Sequence, residues 1–337
     1  MDYTVAMQRA IALSEKGLGK TAPNPIVGAV IIDATGKIIA EGFHDRMRSE
    51  NHAEVVAIKA AGNQTQGATI VVTLEPCNHI GKTGSCTQAI IDSGISNVVF
   101  AVSDPNSIAS GGAAKLRAAG ITVAEGVLEE EAALSNRAWL MKIKKNRPFF
   151  IWKVAATLDG KVAATDGTSK WISNTTSRAD VQTLRRQSDA ILVGTNTVIA
   201  DNPHLIPRGD FAGYTQNPIR IICGEQELPS DSLVFDDAAR TEIVKSKNLD
   251  LLVEKLNELG VNQVLVEAGP TLASAMLDHC LMDELVIYQA PSLLGSGKSF
   301  FNFGQESTIE NQLRMDHIST QVLAGDVKSI YRIRNGE

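Results

Sequence analysis

Ala68-Thr69-Ile70-Val71-Val72-Thr73-Leu74-Glu75-Pro76-Cys77 decides how the first part of the chain folds and what it holds. The β-branched run from Ala68 to Leu74 predicts a buried strand, and Glu75-Pro76-Cys77 ends it. Downstream, a helix is expected from about Ser85 to Ser93, with Cys86 at its start. Upstream, His52-Ala53-Glu54 opens a helix over Ala53 to Ala61 that Gly62 stops. Zinc favours imidazole and thiolate, and a catalytic zinc keeps three protein ligands and leaves a fourth position for water. His52, Cys77 and Cys86 supply that set. Helix starts also favour negative charge and so help a thiolate form. Glu54 is two residues from His52, beside the metal without binding it. There it would take a proton from the activated water and pass it on to the reacting group. His79, inside the loop, competes as a ligand, and the plainer alternative is a satisfied histidine with two buried thiols. Cys223 and Cys280 lie in apolar surroundings and read as core residues.

The same texture extends outward. Tyr3 to Lys16 has helical apolar spacing and ends at Gly17 and Gly19. After the turn-rich Pro23-Asn24-Pro25, Ile26 to Ile32 predicts a strand, as does Asn97 to Val102. Lys115 to Ala119 then leads through Gly120 to a strand over Ile121 to Ala124. Such alternation implies an α/β fold with a mainly parallel sheet covered on both faces, its sites gathered where strand ends meet helix starts. Lys142-Ile143-Lys144-Lys145-Asn146-Arg147-Pro148 is polar, basic and closed by proline. It reads as a linker or as a solvated helix end plus turn, and the two are compatible. Two domains are therefore expected, 1–145 and 148–337. In the second, strands are predicted at Phe149–Ala155, Ala190–Val193, Ile219–Ile222, Gln263–Glu267 and Glu284–Gln289. Helices are predicted at Arg178–Gln187, Leu251–Leu259 and Leu272–Asp278.

Composition narrows the partners. The 337 residues are 44 % apolar and 21 % charged, the profile of a globular protein with room for two cores. The net charge is −6 and no basic block stands out, which argues against nucleic acid as the main partner. A small phosphorylated substrate needs only a few well-placed cations. The start, Met1-Asp2-Tyr3-Thr4-Val5, lacks a signal-peptide layout, and no apolar run approaches bilayer length. With four cysteines and no export signal, the cytoplasm is the expected compartment.

The H-A-E and later P-C pattern is that of the zinc-dependent nucleobase deaminases, with the second cysteine carried further away by a longer loop. More specifically, Thr21-Ala22-Pro23-Asn24-Pro25-Ile26-Val27-Gly28, His52-Ala53-Glu54, Thr73 to Thr83 and Asp104-Pro105-Asn106 resemble the bifunctional deaminase/reductase family of riboflavin biosynthesis. In the second half Lys153-Val154-Ala155-Ala156-Thr157-Leu158-Asp159-Gly160, Ser169-Lys170-Trp171-Ile172, Asp201-Asn202-Pro203 and Val266-Glu267-Ala268-Gly269 look like its reductase. The resemblance implies an N-terminal cytidine-deaminase-like three-layer α/β/α domain and a C-terminal dihydrofolate-reductase-like α/β domain. It implies zinc-dependent deamination of 2,5-diamino-6-ribosylamino-4(3H)-pyrimidinone 5′-phosphate, then NADPH-dependent reduction of the ribosyl group to ribityl. By the same resemblance Asn24, His44, His79, Lys82 and Asn106 contact the deaminase substrate. Ala155, Trp171, Thr197, Asp201, Gly269 and Thr271 belong to the cofactor side, and Lys153, Ser169, Arg185, Leu205, Arg208 and Glu267 to the substrate of reduction. Arg185 and Arg208 suit a phosphate because guanidinium offers paired donors, with surface solubility as their plainer role. Lys153 is the candidate near the sugar, or else a solvent-facing strand residue. Gly269-Pro270-Thr271 offers backbone N–H groups to a phosphate, or is an ordinary turn. Asp159-Gly160 also reads as a tight turn. A dimer is expected by family analogy.

The sequence departs from the family pattern in places. The loop Arg46 to Asn51 lacks the usual glycine and is one residue longer, Thr83-Gly84-Ser85-Cys86 replaces threonine-proline-proline-cysteine, and Ala268 replaces a glycine. Two other readings compete: a purine or RNA-type deaminase sharing only the zinc site, and a catalytically silent zinc module. The acidic charge and the second half argue against the first, and the presence of Glu54 argues against the second.

Overall fold

The computed structural model describes residues 1–78, 84–106, 110–209, 214–302 and 308–334, and divides into a unit of Met1–Asn146 and a unit of Arg147–Glu337. In the first unit, helix α1 (Thr4–Ser14) is followed by strands β1 (Gly28–Ile32) and β2 (Ile38–Phe43), helix α2 (Ala53–Ala61) and strand β3 (Thr69–Leu74). Then come α3 (Cys86–Asp92), β4 (Asn97–Val102), α4 (Gly112–Ala118), β5 (Thr122–Glu125), α5 (Glu129–Ser135) and α6 (Arg137–Lys145). The sheet order is β2-β1-β3-β4-β5. β3, β4 and β5 run parallel, but β1 is antiparallel to both its neighbours, so the sheet is mixed. Strand β2 escaped the sequence reading because its Ile38-Ile39-Ala40-Glu41-Gly42-Phe43 is short, glycine-containing and only half-buried.

β1 and β3 are buried along their whole length, as strands covered on both faces must be. Two glycines let the covering helices approach. A Cβ on Gly28 would stand 1.9 Å from the Ala10 carbonyl oxygen of α1, and one on Gly42 would stand 2.3 Å from the Ala53 carbonyl oxygen of α2. Gly42 pairs with Ala29, the neighbour of Gly28, so the two glycines face opposite sides of the sheet. Helices α1 and α2 therefore cover opposite faces, giving three layers.

The second unit contains β6 (Phe149–Thr157), β7 (Lys161–Ala164), α7 (Thr175–Gln187), β8 (Ala190–Gly194), α8 (Thr195–Asp201), β9 (Ile219–Cys223) and β10 (Thr241–Val244). It continues with α9 (Leu249–Glu258), β11 (Gln263–Val266), α10 (Pro270–Asp278), β12 (Glu284–Ala290), β13 (Gly297–Ser299), β14 (Met315–Leu323) and β15 (Asp326–Ile333). The eight-stranded sheet has the order β10-β9-β8-β11-β6-β12-β15-β14. The first six strands are parallel and the last two antiparallel. The terminal hairpin was not predicted, since β14 exposes most of its residues and carries little apolar signal.

The basic stretch after residue 142 is mostly the end of α6, closed by Asn146 in the left-handed region at φ 51°. Arg147 is anchored: Nη1 and Nη2 donate to Asp283 at 2.8 and 2.7 Å, and the same carboxylate accepts from the Phe150 N–H at 2.8 Å. Cys280 corrects the core reading: Cys223 is buried, but Cys280 follows the end of α10 at φ 53° and is exposed. Among the described residues, no helix is long and apolar enough to cross a membrane.

Gly42→Ala is expected to cost about 1–3 kcal/mol, because the added methyl meets backbone that cannot rotate away. A urea titration of the variant against the native chain measures it, and native stability would show that α2 has room to shift.

Candidate functional site

Three element ends converge in the first unit. His52 is the N-cap of α2, Cys77 follows β3, and Cys86 is the first residue of α3. Their ligand atoms all lie within 4.8 Å of one another. The ring atom facing both sulfurs is His52 Nδ1, 3.2 Å from Cys86 Sγ and 3.6 Å from Cys77 Sγ. The start of α3 that carries Cys86 is held locally. Ser85 caps α3, its Oγ accepting from the Gln88 N–H at 3.3 Å, and the Thr87 N–H donates to the Cys77 carbonyl at 3.2 Å.

The electrostatics favour a cation here. The hydrogen bond from Cys86, against the effect of burial and with help from His52, holds the Cys77 thiol down at about 4. Cys86 is correspondingly pushed up by its thiolate neighbour and by burial. Glu54 is buried, and its Oε2 has no hydrogen-bond partner among the described residues. Burial raises its proton affinity, with His52 opposing and Cys77 assisting. Two thiol sulfurs, an imidazole nitrogen and an orphaned buried carboxylate oxygen fit a three-ligand zinc with an adjacent proton carrier.

His44 and Asn24 flank this cluster. The His44 and His52 ring centroids are 5.2 Å apart, edge to face. His44 Nδ1 is 3.0 Å from the Asn51 carbonyl, which can only accept, so the ring carries its proton there and Nε2 accepts from Asn24 Nδ2 at 3.1 Å. Burial lowers the His44 pKa and keeps the ring neutral. The loop before His52 is tied back to the Pro23 segment: Arg46 Nη1 donates to the Ala22 carbonyl at 3.1 Å, and Lys20 pairs with buried Asp45 at 3.9 Å. His79 and Lys82 lie outside the described residues. Asn106 follows β4, its N–H donating to Asp104 Oδ1 at 2.8 Å.

In the second unit the predicted residues fall into groups. Arg185 of α7 grips Glu267 at the end of β11 with two parallel bonds of 2.6 and 2.8 Å, and Nη1 donates to the Ile206 carbonyl at 3.3 Å. Three of its donors are thus engaged within the protein, so it is first a partner of Glu267. Burial raises the Glu267 carboxyl, but Arg185, followed by Lys153, outweighs that and holds it at about 2. Burial, together with Arg185, lowers the Lys153 pKa while Glu267 opposes. Ala155 is two residues further along β6 and so on the same sheet face as Lys153. Arg208 is exposed, and its N–H is held by Gln182 of α7 at 2.9 Å.

The cofactor-side residues gather less completely. Thr197 Oγ1 lies 4.0 Å from where a Cβ of Gly269 would stand, which brings the starts of α8 and α10 together. Gly269 is the N-cap of α10 and Thr271 is in its first turn. Two adjacent helix starts with small side chains suit a phosphate-bearing cofactor such as NADPH. Trp171 is exposed, adopts φ 74°, and stacks on Arg178 at 4.4 Å. Buried Leu205 is also left-handed, at φ 49°. Such backbone costs about 1–3 kcal/mol per residue and concentrates at ligand clamps. Asp201 is the last residue of α8, one helical turn beyond Thr197, and Ser169 lies half-buried between β7 and α7. Asp159 accepts from Thr157 Oγ1 and from the Leu294 and Gly295 N–H groups at 2.6, 3.1 and 2.7 Å, so its turn is clamped to a second loop. Sequence reasoning missed Tyr288, whose hydroxyl donates to Asp180 at 2.5 Å, and Lys328, which reaches the same oxygen at 2.6 Å. The pairing of β12 with β15 makes that contact, and the unpredicted hairpin hid it.

Residues 2–102 match the cytidine and deoxycytidylate deaminase zinc-binding region, and residues 148–329 match the RibD C-terminal domain. The chain is 41 % identical over 324 residues to the riboflavin biosynthesis protein RibD of Mycobacterium tuberculosis, covering 96 % of this chain and 95 % of the relative. It is 39 % identical to that of Escherichia coli, covering 86 % and 88 %. Among solved structures it is similar to RibD of Acinetobacter baumannii, with TM-score 0.89 and 35 % identity over 98 % of both chains. It is equally similar to a diaminohydroxyphosphoribosylaminopyrimidine deaminase/5-amino-6-(5-phosphoribosylamino)uracil reductase of Thermotoga maritima, with TM-score 0.90 and 36 % identity over 98 % of both.

The Glu267 carboxyl is depressed below its ordinary 4.5, so its stabilising effect is present above that value and lost as pH falls towards about 2. Urea titrations across that window should show a smaller acid loss in Glu267→Gln than in the native chain; equal losses would remove the ion pair from the account. Cys86→Ser should release zinc to a chelator at least about tenfold faster. Unchanged metal content would transfer the third ligand to His79.

Proposed function

The chain belongs to the RibD family of bifunctional deaminase/reductases, and from that membership we propose which of its residues carry each step. The enzyme acts in riboflavin biosynthesis: it hydrolytically deaminates 2,5-diamino-6-ribosylamino-4(3H)-pyrimidinone 5′-phosphate, then reduces the ribosyl side chain to ribityl with NADPH. The observation that carries the deaminase assignment is the convergence of His52, Cys77 and Cys86 with buried Glu54, whose Oε2 has no hydrogen-bond partner among the described residues.

Zinc, when held by His52, Cys77 and Cys86, supplies the Lewis acidity that makes water a nucleophile near neutral pH. Glu54 takes one proton of that water on Oε2 and delivers it to the ring nitrogen as the oxygen adds to the carbon; it then carries the remaining hydroxyl proton to the amino group, which leaves as ammonia when the C–N bond breaks. Its buried position, which raises its proton affinity, lets it hold the proton between those transfers. His44, neutral and fixed by the Asn51 carbonyl, orients the Asn24 amide towards the pyrimidine. His79, Lys82 and Asn106 complete the substrate contacts in this reading.

NADPH, when bound, supplies the hydride for C1′ of the sugar. Ala155, Trp171, Thr197, Asp201, Gly269 and Thr271 hold it. Lys153, Ser169, Arg185, Leu205, Arg208 and Glu267 hold the aminouracil ribotide. As C1′ accepts hydride the sugar C1′–O bond breaks, and the released oxygen needs a proton. Lys153 is the donor, because burial makes its ammonium readier to give one up. Exposed Arg208 is the phosphate fork, since Arg185 is engaged with Glu267. We place the enzyme in the cytoplasm and expect a dimer, by analogy with other two-domain enzymes of this kind.

Incubating the purified chain with the diaminopyrimidine ribotide, with and without NADPH, tests the two activities through ammonia release and NADPH consumption. Glu54→Gln should keep its zinc and lose deamination by about 10²–10⁴-fold, while still reducing the deaminated substrate. Loss of both activities together would overturn the division between the halves.

A further inference from the structure

We infer that Glu75 is a positioning residue of the deaminase, fixing the 103–106 segment and the start of α4 against the strand end that carries Cys77. The inference rests on the deaminase reading above. Glu75 continues β3 by one residue, its N–H donating to the Val102 carbonyl at 2.8 Å, and its side chain is buried. Each carboxylate oxygen accepts a backbone N–H from a different element. Oε2 takes the Asp104 N–H at 3.2 Å, beyond β4, and Oε1 takes the Ala113 N–H at 2.9 Å, in the first turn of α4.

The helix needs that acceptor. Its N-cap is Gly111, at φ 87°, which has no side chain with which to satisfy the first N–H groups, so Glu75 caps α4 from a neighbouring strand. The contact is close on the other side too. A Cβ on Gly112 would stand 1.9 Å from the Pro76 carbonyl oxygen and 3.2 Å from Thr87 Cγ2. Pro76-Cys77 is thereby held between α3 and α4.

Asp104, itself buried, relays the order outward by accepting the Asn106 N–H, and the Ser110 N–H donates to the Asn106 carbonyl at 3.0 Å. The 103–106 segment leaves the carboxyl end of β4 beside the carboxyl end of β3, the edge where parallel sheets bind their ligands. Glu75 thus sets the spacing between this segment and the metal donors. A carboxylate is needed because two N–H donors converge on it; an amide in its place offers one acceptor and turns an NH₂ towards the second donor. Its action is on substrate placement, because the Cys77 carbonyl and the Cys86 helix start are held by Thr87 and Ser85 instead.

The test uses the full-length, zinc-loaded chain with Glu75→Gln and, separately, Asp104→Ala, which loosens the segment while leaving Glu75 in place. Zinc per chain, deaminase kcat and KM for the ribotide, and reductase activity are measured for each. The expected result is KM raised about tenfold with kcat within about threefold, and with zinc content and reduction unchanged in both variants. A native KM in Glu75→Gln overturns the role. If Glu75→Gln loses zinc, Asp104→Ala decides: a raised KM with full zinc sustains the inference, and a native KM overturns it. Ammonia release by the native chain tests the deaminase reading separately, so a native KM in the variants strikes the positioning role alone.

Discussion

The absence of a single carbon atom governs the deaminase half. At Gly42 the sheet has no side chain, and the backbone of α2 lies where one would be, its Ala53 carbonyl 2.3 Å from the missing Cβ. That contact fixes the start of the helix, and the start of the helix is His52 and Glu54. The cysteines beyond β3 and at the start of α3 meet the histidine only if α2 begins at that height above the sheet. Zinc chemistry tolerates ligand errors of about 0.2 Å, so the packing of a helix on a strand becomes a condition of the chemistry. The neighbouring contact of Gly112 on the Pro76 carbonyl is of the same kind. Both work through backbone, which cannot choose another rotamer.

The second unit is organised at this point by charge. Arg185 and Glu267 are each largely buried, and neither is tolerable there without the other. Their pair occupies the sheet face that also carries Lys153, so a buried cation and a buried anion set the field in which the lysine titrates. An arginine that looked like a phosphate ligand from its residue type is thus committed first to a carboxylate. The same preference for satisfied charge explains Arg220, fully buried, whose Nη1 donates to the Val234 carbonyl at 2.8 Å and whose Nη2 reaches Asp236 at 2.6 Å. It ties β9 to the segment before β10.

The sequence was most legible where chemistry and chain direction coincide. His52, Glu54, Cys77 and Cys86 each stand at the end of an element that periodicity or β-branched runs reveal, so their convergence could be anticipated. Helices α2 and α3 and strands β3, β4 and β12 were found within one or two residues of their ends. Less legible were elements whose stability comes from partners remote in sequence. β2 and β14 are edge strands with exposed residues, and β10 is a short edge strand whose pairing with β9 does more than its composition. Tyr288, Asp180 and Lys328 were invisible as a group for the same reason: they meet only once β12, β15 and α7 are assembled. Ser85 shows the converse, a local cap within three residues of its partner Gln88 that holds the helix start carrying Cys86.

Helix α7 is tied to the far end of the chain. Its N-cap Asn174 donates through Nδ2 to the Leu323 and Ala324 carbonyls at 2.7 and 3.1 Å, while the Asn174 N–H and the Ser177 hydroxyl both donate to Asp326. These contacts span roughly 150 residues, and Arg185 lies further along the same helix. During synthesis from the amino terminus, α7 leaves the ribosome long before its capping partners exist. The deaminase site, assembled from contacts within the first unit, has all its parts much earlier. The two activities of this enzyme therefore mature at different times, and the reductase waits for its last hairpin.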